Sequence, residues 1–197
     1  DLYDDTLILF TTDHGEEFWD HDAFEHGHTL YNELIWNPLL IKAPGMAGGR
    51  TVDTPVSTVA LAPTLLDLCT SPYAVEDFSY RSFAPLVRQG AEAYAAETIQ
   101  AGSLVRARPK TGVIFDGCKY IQWMDDGREE LYDLGADPQE RQSLTAAQPS
   151  RVMEGRRRLA ESNAQTKALR EKLGIETGKD ARMDEETKKG LEALGYL

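Results

Sequence analysis

Apolar and polar positions in the first part of the chain predict a sheet of buried strands. Residues 6–11 form an apolar run bounded by threonines, without the polar alternation of a half-exposed strand. Such a run is typical of a strand buried on both faces of a parallel sheet. The segment "PLLIKAP" at residues 38–44 predicts a second buried strand between two prolines, and "TLYNEL" at residues 29–34 predicts a short helix before it.

Two further apolar patterns predict helices beside these strands. Residues 57–69 carry apolar side chains at helical spacing after Ser57 or Thr58, either of which is a suitable helix cap. Pro63 fits this helix only where the helix begins or bends. A shorter helix is expected at residues 83–89, so strands and helices alternate in this part of the chain.

The pattern changes after Gly90 to short runs with β propensity. These runs are "EAYAAET", "SLVRARP", "TGVIF", "CKYIQW" and "EELYDL". Asp116 and Gly117 separate two of them as a two-residue hairpin turn would, and Asp126 and Gly127 lie in a second, looser turn. The spacing predicts a small antiparallel sheet.

Charged, weakly amphipathic sequence follows the predicted sheet. Residues 148–173 predict a long helix and residues 174–182 a linker. Residues 184–197 predict a final helix that starts at an acidic cap and ends at Gly195. The end of the chain is therefore expected to be a helical tail.

The charge balance limits the possible partners. The chain has 33 acidic and 21 basic residues, a net charge of -12 at pH 7. Such a field repels polyanions, so neither nucleic acid nor an anionic membrane is expected as a general partner. A small anionic substrate is still compatible, because a bound divalent cation reverses the field locally. The apolar runs fall far short of the roughly 20 residues that span a bilayer, so no membrane span is expected.

The cysteines and the start of the chain limit its setting. Cys69 and Cys118 are too far apart in sequence for a disulfide-rich scaffold or a paired-cysteine zinc motif, and both are expected to be small buried hydrophobes. The chain has no starting methionine and no export signal, and it begins just before an apparent strand. We therefore expect it to continue a longer protein.

All four histidines lie in the loop "TTDHGEEFWDHDAFEHGH" at residues 11–28, together with six carboxylates. Open α/β sheets bind ligands at the carboxyl ends of their strands, which is where this loop begins. Asp13 and His14 are adjacent there, and Gly15 leaves room for close approach. The two side chains can face one metal ion where the backbone turns sharply. The alternative is an Asp that caps a turn under a packed His.

Two ligands do not complete a metal site, because calcium takes about six to eight oxygen ligands and magnesium about six. The other histidines, His21, His26 and His28, are spaced too irregularly for a pair of ligands on one helix. A closed zinc site made only of imidazoles is not expected either, since structural zinc prefers cysteine. An imidazole beside a metal-bound anion is better explained as a hydrogen-bond donor or as the acid for a leaving group.

Long stretches of the chain resemble the sulfatase family of the alkaline phosphatase superfamily. In that family a strand ends in T/S-D-H/N-G and is followed by H-G, by L-Y-x-E and by a P-L-I strand; here the string is "DDTLILFTTDHGEEFWDHDAFEHGHTLYNELIWNPLLIKAPG". "VSTVALAPTLLDLC" is similar to the family's L-A-P-T-L-L-D-L segment. "GVIFDGCKYIQW" and "EELYDLGADPQERQSL" look like its K-Y-I and E-L-Y-D-L-x-x-D-P-x-E motifs, and "EETKKGLEALGYL" is like the helix that closes many bacterial members.

The resemblance implies a metal-dependent hydrolase of sulfate esters, a sulfuric ester hydrolase, whose substrate is a small anionic sulfate or phosphate ester. The family's metal ligands map onto Asp13 and His14, and the ion is expected to be calcium, with manganese, magnesium or zinc as alternatives. The Lys that contacts the anion in the family has no counterpart in the loop. His26 or His28 is therefore expected to take that role, with His26 favoured.

Several positions depart from the family pattern. Trp36 and Asn37 stand where the family usually has Arg-Val, and Ala60 stands where it usually has Asp, so contacts on the substrate side are expected to differ. Glu16 and Glu17 are expected to face solvent or the rim of the substrate site.

The nucleophile is the larger departure. Family members carry it in C/S-x-P-x-R, matured to formylglycine, or as Ser or Thr in phosphate-specific relatives, and an upstream acidic pair completes the metal site. Neither Cys69 nor Cys118 has that context. The formylglycine and the acidic pair are therefore expected in an upstream half of the same protein, and this chain alone is expected to be inactive.

The fold that the resemblance implies is α/β, the end of a mostly parallel sheet sandwiched by helices. Residues 1–90 are then the carboxyl-terminal part of the catalytic core, residues 91–146 a small antiparallel β subdomain and residues 147–197 a helical tail. Many bacterial members are exported, so a periplasmic or extracellular location is expected by analogy. Two alternatives stay open: a phosphate or phosphonate ester hydrolase of the same superfamily, and a non-catalytic relative that acts as a binding module.

Overall fold

The computed structural model describes residues 2–46, 48–103, 108–175 and 185–193. The helices and strands in chain order are α1 (Leu2–Asp5), β1 (Ile8–Thr11), β2 (Glu17–Phe18), β3 (Phe24–Glu25), α2 (Asn32–Ile35), β4 (Leu39–Lys42), α3 (Leu61–Leu68), α4 (Ala84–Gln89), β5 (Ile99–Ser103), β6 (Lys110–Phe115), β7 (Cys118–Trp123), β8 (Glu129–Asp133), α5 (Pro149–Lys172) and α6 (Glu185–Ala193). Within these ranges no helix has both the length and the apolar character that crossing a membrane requires.

Strands β1 and β4 form an antiparallel pair, with Ile8 opposite Lys42 and Phe10 opposite Leu40. Both strands confirm the sequence prediction, but the predicted parallel pairing and the burial on both faces are wrong within the described residues. The chain reverses direction through α2, so β4 lies beside β1 without a crossover connection. Side chains alternate between the faces of a strand, and one face of this pair is open: Phe10 is 58% exposed and Leu40 60%.

The other face of the pair packs on α3 and α4. Leu39 and Ile41 lie against a buried cluster that contains Ala60, Phe83 and Leu86. Both helices were expected from the apolar spacing and both are confirmed: α4 lies within one residue of its predicted limits, and α3 begins four residues after its predicted start. The first part of the chain therefore has a two-layer core below one face of a two-stranded sheet.

The start of α3 shows why the sequence folds as a helix here. A 3₁₀ turn at Thr58–Ala60 precedes it, and the Ser57 hydroxyl accepts a hydrogen bond from the Val59 N–H at 3.3 Å, as a helix cap does. Pro63 lies in the first turn of α3, where proline is tolerated. Buried Thr64 accepts a hydrogen bond from the Phe83 N–H at 2.9 Å and so joins the segment before α4 to α3.

The four-stranded antiparallel sheet has the order β5-β6-β7-β8. Asp116 and Gly117 form the predicted hairpin turn, with the positive φ angles of 45° and 75° that this turn requires. Gly127 lies in the second predicted turn with φ 70°. The run at residues 92–98 is not a strand, which corrects its predicted β character. Residues 104–107 of the next predicted run lie outside the described residues.

Helix α5 confirms the long helix predicted after the sheet and packs on it. Their shared apolar cluster comprises Val113, Phe115, Cys118, Tyr120, Leu131, Val152 and Leu159. Gly155 allows this close packing, because a Cβ there would lie 2.5 Å from the Tyr120 ring. Helix α6 confirms the last predicted helix up to residue 193. Its expected end at Gly195 and most of the expected linker lie outside the described residues. The two domain boundaries, after residues 90 and 146, stay predictions.

Candidate metal and anion site

The histidine-rich loop leaves β1 and forms the short hairpin of β2 and β3. Trp19, Asp22 and Glu25 have positive φ angles of 68°, 63° and 74°, which is unusual for residues with a side chain. The Glu17 carboxylate stabilises this backbone, because its Oε1 accepts hydrogen bonds at 2.9 Å from the N–H groups of His21 and Ala23. The hairpin is therefore folded around a carboxylate.

Glu17 is fully buried, so the prediction that it faces solvent or the rim of the substrate site is wrong. Its second oxygen, Oε2, accepts a hydrogen bond from His28 Nε2 at 2.7 Å. Burial raises the pKa of Glu17, but the hydrogen bonds from His28 and the two backbone N–H groups outweigh burial and hold the pKa below its ordinary value. Because an ionised carboxylate only accepts hydrogen bonds, His28 carries a proton on Nε2.

Asp13 and His14, here called the metal pair, lie just after β1. The Asp13 side chain is largely exposed and that of His14 partly so. His14 Nδ1 lies 2.7 Å from the Gly15 carbonyl oxygen, which can only accept, so Nδ1 carries a proton. The other ring nitrogen, Nε2, carries the lone pair in this neutral tautomer and lies 3.9 Å from Asp13 Oδ1.

The metal pair fits a shared cation in its chemistry and spacing. Ligand atoms lie about 2.0–2.6 Å from calcium or zinc, so atoms 3.9 Å apart can both contact one ion. Across the described ranges, no group of three or more His, Cys, Asp or Glu side chains is arranged to hold a metal. The described residues supply a pair of ligands and not a complete site.

Gly15 lets α2 come close to the metal pair. Its N–H donates to the Leu34 carbonyl at 2.8 Å. A Cβ on Gly15 would lie 2.0 Å from the Glu33 carbonyl oxygen, so no side chain fits there without moving the backbone. Asn37 contacts the same corner, because its side-chain amide donates to the Asp13 carbonyl at 3.1 Å. The departure from the family pattern at Asn37 therefore adds a contact to a candidate ligand.

The two candidate anion-contacting histidines have different neighbours. The His26 ring stacks on His14 with 4.1 Å between ring centroids, and its Nδ1 lies 3.3 Å from both Glu16 carboxylate oxygens. His28 is instead held by Glu17. The structure thus brings His26 into contact with His14 of the metal pair, whereas His28 is held by Glu17 of the hairpin.

His21 has the contacts of a structural residue. Its Nδ1 lies 2.6 Å from Glu33 Oε1, its Nε2 lies 3.2 Å from the Glu140 carbonyl oxygen, and its ring stacks on Tyr31. The contact with Glu140 joins the loop to a segment more than 100 residues away. Both ring nitrogens of His21 have protein partners, so it has no role in the proposed site.

Four buried charged residues of the carboxyl-terminal part were not anticipated from the sequence: Lys110, Lys119, Glu130 and Glu140. Lys119 and Glu140 form an ion pair at 2.9 Å. Burial lowers the pKa of Lys119 and raises that of Glu140, and in each case the charge of the partner opposes the shift. A lysine among the large apolar side chains of the predicted strand "CKYIQW" is the sequence signal that could have pointed to Lys119.

The cysteines do not form part of this site. Cys118 is buried, as predicted, and burial raises the pKa of its thiol, which disfavours the reactive thiolate. Cys69 is exposed just after α3, so its predicted burial is wrong. Neither contributes a nucleophile beside the histidine-rich loop.

Residues 19–166 match the model of the family described as N-sulphoglucosamine sulphohydrolase, C-terminal. The chain belongs to this sulfatase family. The family membership predicted from the loop and strand motifs is confirmed by this match. The matched range begins just after β2 and includes β3, both candidate anion-contacting histidines and the whole four-stranded sheet.

Relatives of this sulfatase-family chain carry sulfatase names. Arylsulfatase K from Gallus gallus is 31% identical over 171 residues, which is 77% of this chain and 30% of the relative. A sulfatase from Formosa agariphila is 30% identical over 152 residues, 68% of this chain and 25% of the relative. Arylsulfatase K from Homo sapiens is 28% identical over 158 residues, 71% of this chain and 28% of the relative. The chain thus spans about a third or less of these relatives.

Solved structures share the fold of this sulfatase-family chain. A protein solved in complex with its substrate D-glucosamine-2-N,6-O-disulfate superposes with a TM-score of 0.73 at 24% identity, covering 84% of this chain and 35% of that protein. Phosphonate monoester hydrolase of Agrobacterium radiobacter gives a TM-score of 0.68 at 24% identity, covering 83% and 36%. The chain therefore shares its fold with these structures.

Proposed function

We propose that this chain is the carboxyl-terminal portion of a metal-dependent sulfatase that hydrolyses sulfate esters. The family match and the sulfatase names of the relatives support the reaction class. The observation that carries the site is the geometry of the metal pair: a carboxylate oxygen and the lone-pair nitrogen of His14 lie 3.9 Å apart at the end of β1.

In this proposal Asp13 and His14 hold a divalent cation, calcium in the first instance, with manganese, magnesium or zinc as alternatives. When bound, the cation polarises the ester and stabilises negative charge at the reacting oxygens. The remaining ligands and the formylglycine nucleophile are supplied upstream. The isolated chain accordingly has no turnover of its own.

His26 is proposed to bind the transferred anion or to protonate the departing oxygen. Its ring stacks on that of His14, beside the metal pair, and its Nδ1 lies 3.3 Å from the Glu16 carboxylate. His28 is the alternative for the same role. Its Nε2 proton is already donated to Glu17, so only Nδ1 of His28 is available to a substrate.

The substrate is proposed to be a small anionic sulfate ester. A sulfated sugar is one such ester, and the complex of a fold neighbour with D-glucosamine-2-N,6-O-disulfate supports this class. Phosphonate ester hydrolysis is the second candidate, because a phosphonate monoester hydrolase shares the fold at nearly the same TM-score. Comparing kcat/KM of the complete protein for an aryl sulfate and an aryl phosphonate monoester separates the two candidates.

Asp13→Asn in the complete protein tests the metal assignment. We expect turnover of an aryl sulfate to fall by about a hundredfold, a typical loss when electrostatic stabilisation of a transition state is removed. Calcium or manganese affinity, measured by titration without substrate, is expected to fall as well. Asp53→Asn makes the same charge change at an exposed position and is expected to alter neither quantity.

Two results would contradict the proposal. Wild-type turnover and metal affinity in Asp13→Asn would remove Asp13 from the site. Metal binding by the complete wild-type protein no better than background would instead support the non-catalytic relative.

A further inference from the structure

Two buried lysines of the four-stranded sheet reach the segment that carries the site. Lys110 on β6 is 5% exposed and Lys119 on β7 is 1% exposed. The Lys110 ammonium donates a hydrogen bond to the His28 carbonyl, and the Lys119 ammonium donates to the Leu30 carbonyl at 3.0 Å. Carbonyls two residues apart in an extended segment point to the same side, so adjacent strands can hold both of them.

Lys119 also fixes the start of α2. It donates to Asn32 Oδ1 at 2.7 Å and forms the ion pair with Glu140. The other carboxylate oxygen of Glu140 accepts from the Asn32 N–H at 2.6 Å, and Asn32 is the first residue of α2. The helix therefore begins on a buried ion pair from the carboxyl-terminal part.

Helix α2 in turn lies against the metal pair. The hydrogen bond from the Gly15 N–H to the Leu34 carbonyl joins the helix to the residue after His14. Because a Cβ at Gly15 would overlap the Glu33 carbonyl, the spacing between loop and helix is fixed with little tolerance. A displacement of α2 is therefore transmitted to Asp13 and His14.

We propose that Lys110 and Lys119 are positioning residues of the site, an inference that rests on the proposed function. Lys110 acts through His28, whose backbone carbonyl it holds. Lys119, together with Glu140, acts through α2 on the metal pair. The four-stranded sheet thus sets the distance between His28 and the metal pair.

Lys110→Met in the complete protein tests the first half of this inference. Methionine fills a similar volume but donates no hydrogen bond, so the His28 carbonyl loses its partner. We expect kcat for an aryl sulfate to fall by about tenfold to a hundredfold, as when a reacting group is misplaced by about 1 Å, with KM changed less than about twofold. Nitrogen-15 NMR of labelled histidine is expected to show a shifted His28 ring resonance.

Glu140→Gln tests the second half. The glutamine still accepts from the Asn32 N–H but loses the ion pair with Lys119. We expect the affinity for calcium or manganese, measured without substrate, to fall by about tenfold, a size typical of lost support around metal ligands. Lys110→Met is expected to leave that affinity within about twofold, because it does not contact α2.

Lys42→Met is the matched control. The Lys42 ammonium also donates to backbone carbonyls, those of Asp4 and Thr6 at 2.9 Å, but it does so at the start of β1, at the opposite end from the metal pair. We expect it to change neither kcat nor metal affinity. Lys110→Gln is the second variant at this position, for the case in which Lys110→Met does not fold. Its neutral amide can still donate a hydrogen bond, so we expect it to lose less kcat than Lys110→Met.

The inference is overturned if folded Lys110→Met or Lys110→Gln retains wild-type kcat and the wild-type His28 resonance. It is equally overturned if Lys42→Met produces the same losses, or if neither Lys110 variant folds, since a structural role then suffices. Failure of the proposed function is distinguishable: the complete wild-type protein would not hydrolyse sulfate esters, while Lys110→Met would still shift His28 and Glu140→Gln would still weaken metal binding.

Discussion

The four-stranded sheet with α5 and the histidine-rich loop are stabilised in different ways. The sheet and helix share an apolar cluster, with Tyr120 and Leu131 fully buried between them. The loop is instead held by buried charge, with the Glu17 carboxylate inside its hairpin and Lys119 and Glu140 below α2. One region therefore depends on packing and the other on polar contacts whose partners are specific.

This difference has a consequence for how the site is kept in place. Apolar packing tolerates small shifts because it is not directional, whereas a hydrogen bond fixes the distance and angle between two atoms. The loop thus takes its geometry from polar contacts with the sheet. We compare three changes by their effect on the free energy of unfolding. Removing the Lys119 charge from the contact between sheet and loop should lower it most, and removing an apolar side chain from the sheet should lower it less. Removing the Glu17 carboxylate from the hairpin should have the smallest effect.

Lys119→Met should have the largest effect on stability, a loss of about 4 kcal/mol in the free energy of unfolding, because it leaves the Glu140 carboxylate buried without its partner. Urea denaturation measures this loss. The double variant Lys119→Met/Glu140→Gln removes both charges and should recover at least half of it. A double variant no more stable than the single one would show that the charge is not the cause.

Leu131→Ala should cost about 3 kcal/mol, since it opens a cavity in the cluster between the sheet and α5. The same denaturation experiment measures it. Met153→Ala on the exposed side of α5 is the control and should change stability by less than about 0.5 kcal/mol. A similar loss in both variants would mean that the helix, and not the cluster, limits stability.

Glu17→Gln should cost about 1–2 kcal/mol near pH 7, because the carboxylate accepts three hydrogen bonds that the neutral amide replaces only in part. The pKa of Glu17 is lower in the folded than in the unfolded chain, so its contribution is fully present above the unfolded pKa. The contribution is lost as the pH falls through the folded pKa. The gap between wild type and variant should therefore narrow on acidification.

Glu92→Gln is the matched control for this experiment, since Glu92 is an exposed glutamate outside the hairpin. Its stability should differ from the wild type by less than about 0.5 kcal/mol at every pH. A constant gap for Glu17→Gln over the acidic range would contradict the assigned pKa shift.

The sequence predicted the elements whose signals are local. The Asp116–Gly117 turn needs only two residues with positive φ, and α3 needs a cap at Ser57 and apolar spacing, so each was found in place. Strand direction was not predictable in the same way. The run at residues 6–11 has the same apolar pattern in a parallel or an antiparallel sheet, and its exposure depends on what covers it.

The candidate site was predictable in part for a similar reason. Asp13 and His14 are adjacent in sequence, so their proximity follows from the chain itself. The contact of His26 with His14 joins residues that are twelve positions apart. The sequence showed only that both are histidines of the same loop, and not that their rings meet. Lys110 lies 82 residues from His28, so no local pattern could show that its ammonium meets that carbonyl.

The bond between His14 Nδ1 and the carbonyl of the next residue settles the tautomer of this ring before any ligand arrives. An imidazole free in solution populates two neutral forms, and selecting one of them is a penalty that binding must offset. In His14 the contact with the Gly15 carbonyl already selects the form that is protonated on Nδ1. Its Nε2 therefore offers the lone pair that a metal ion requires.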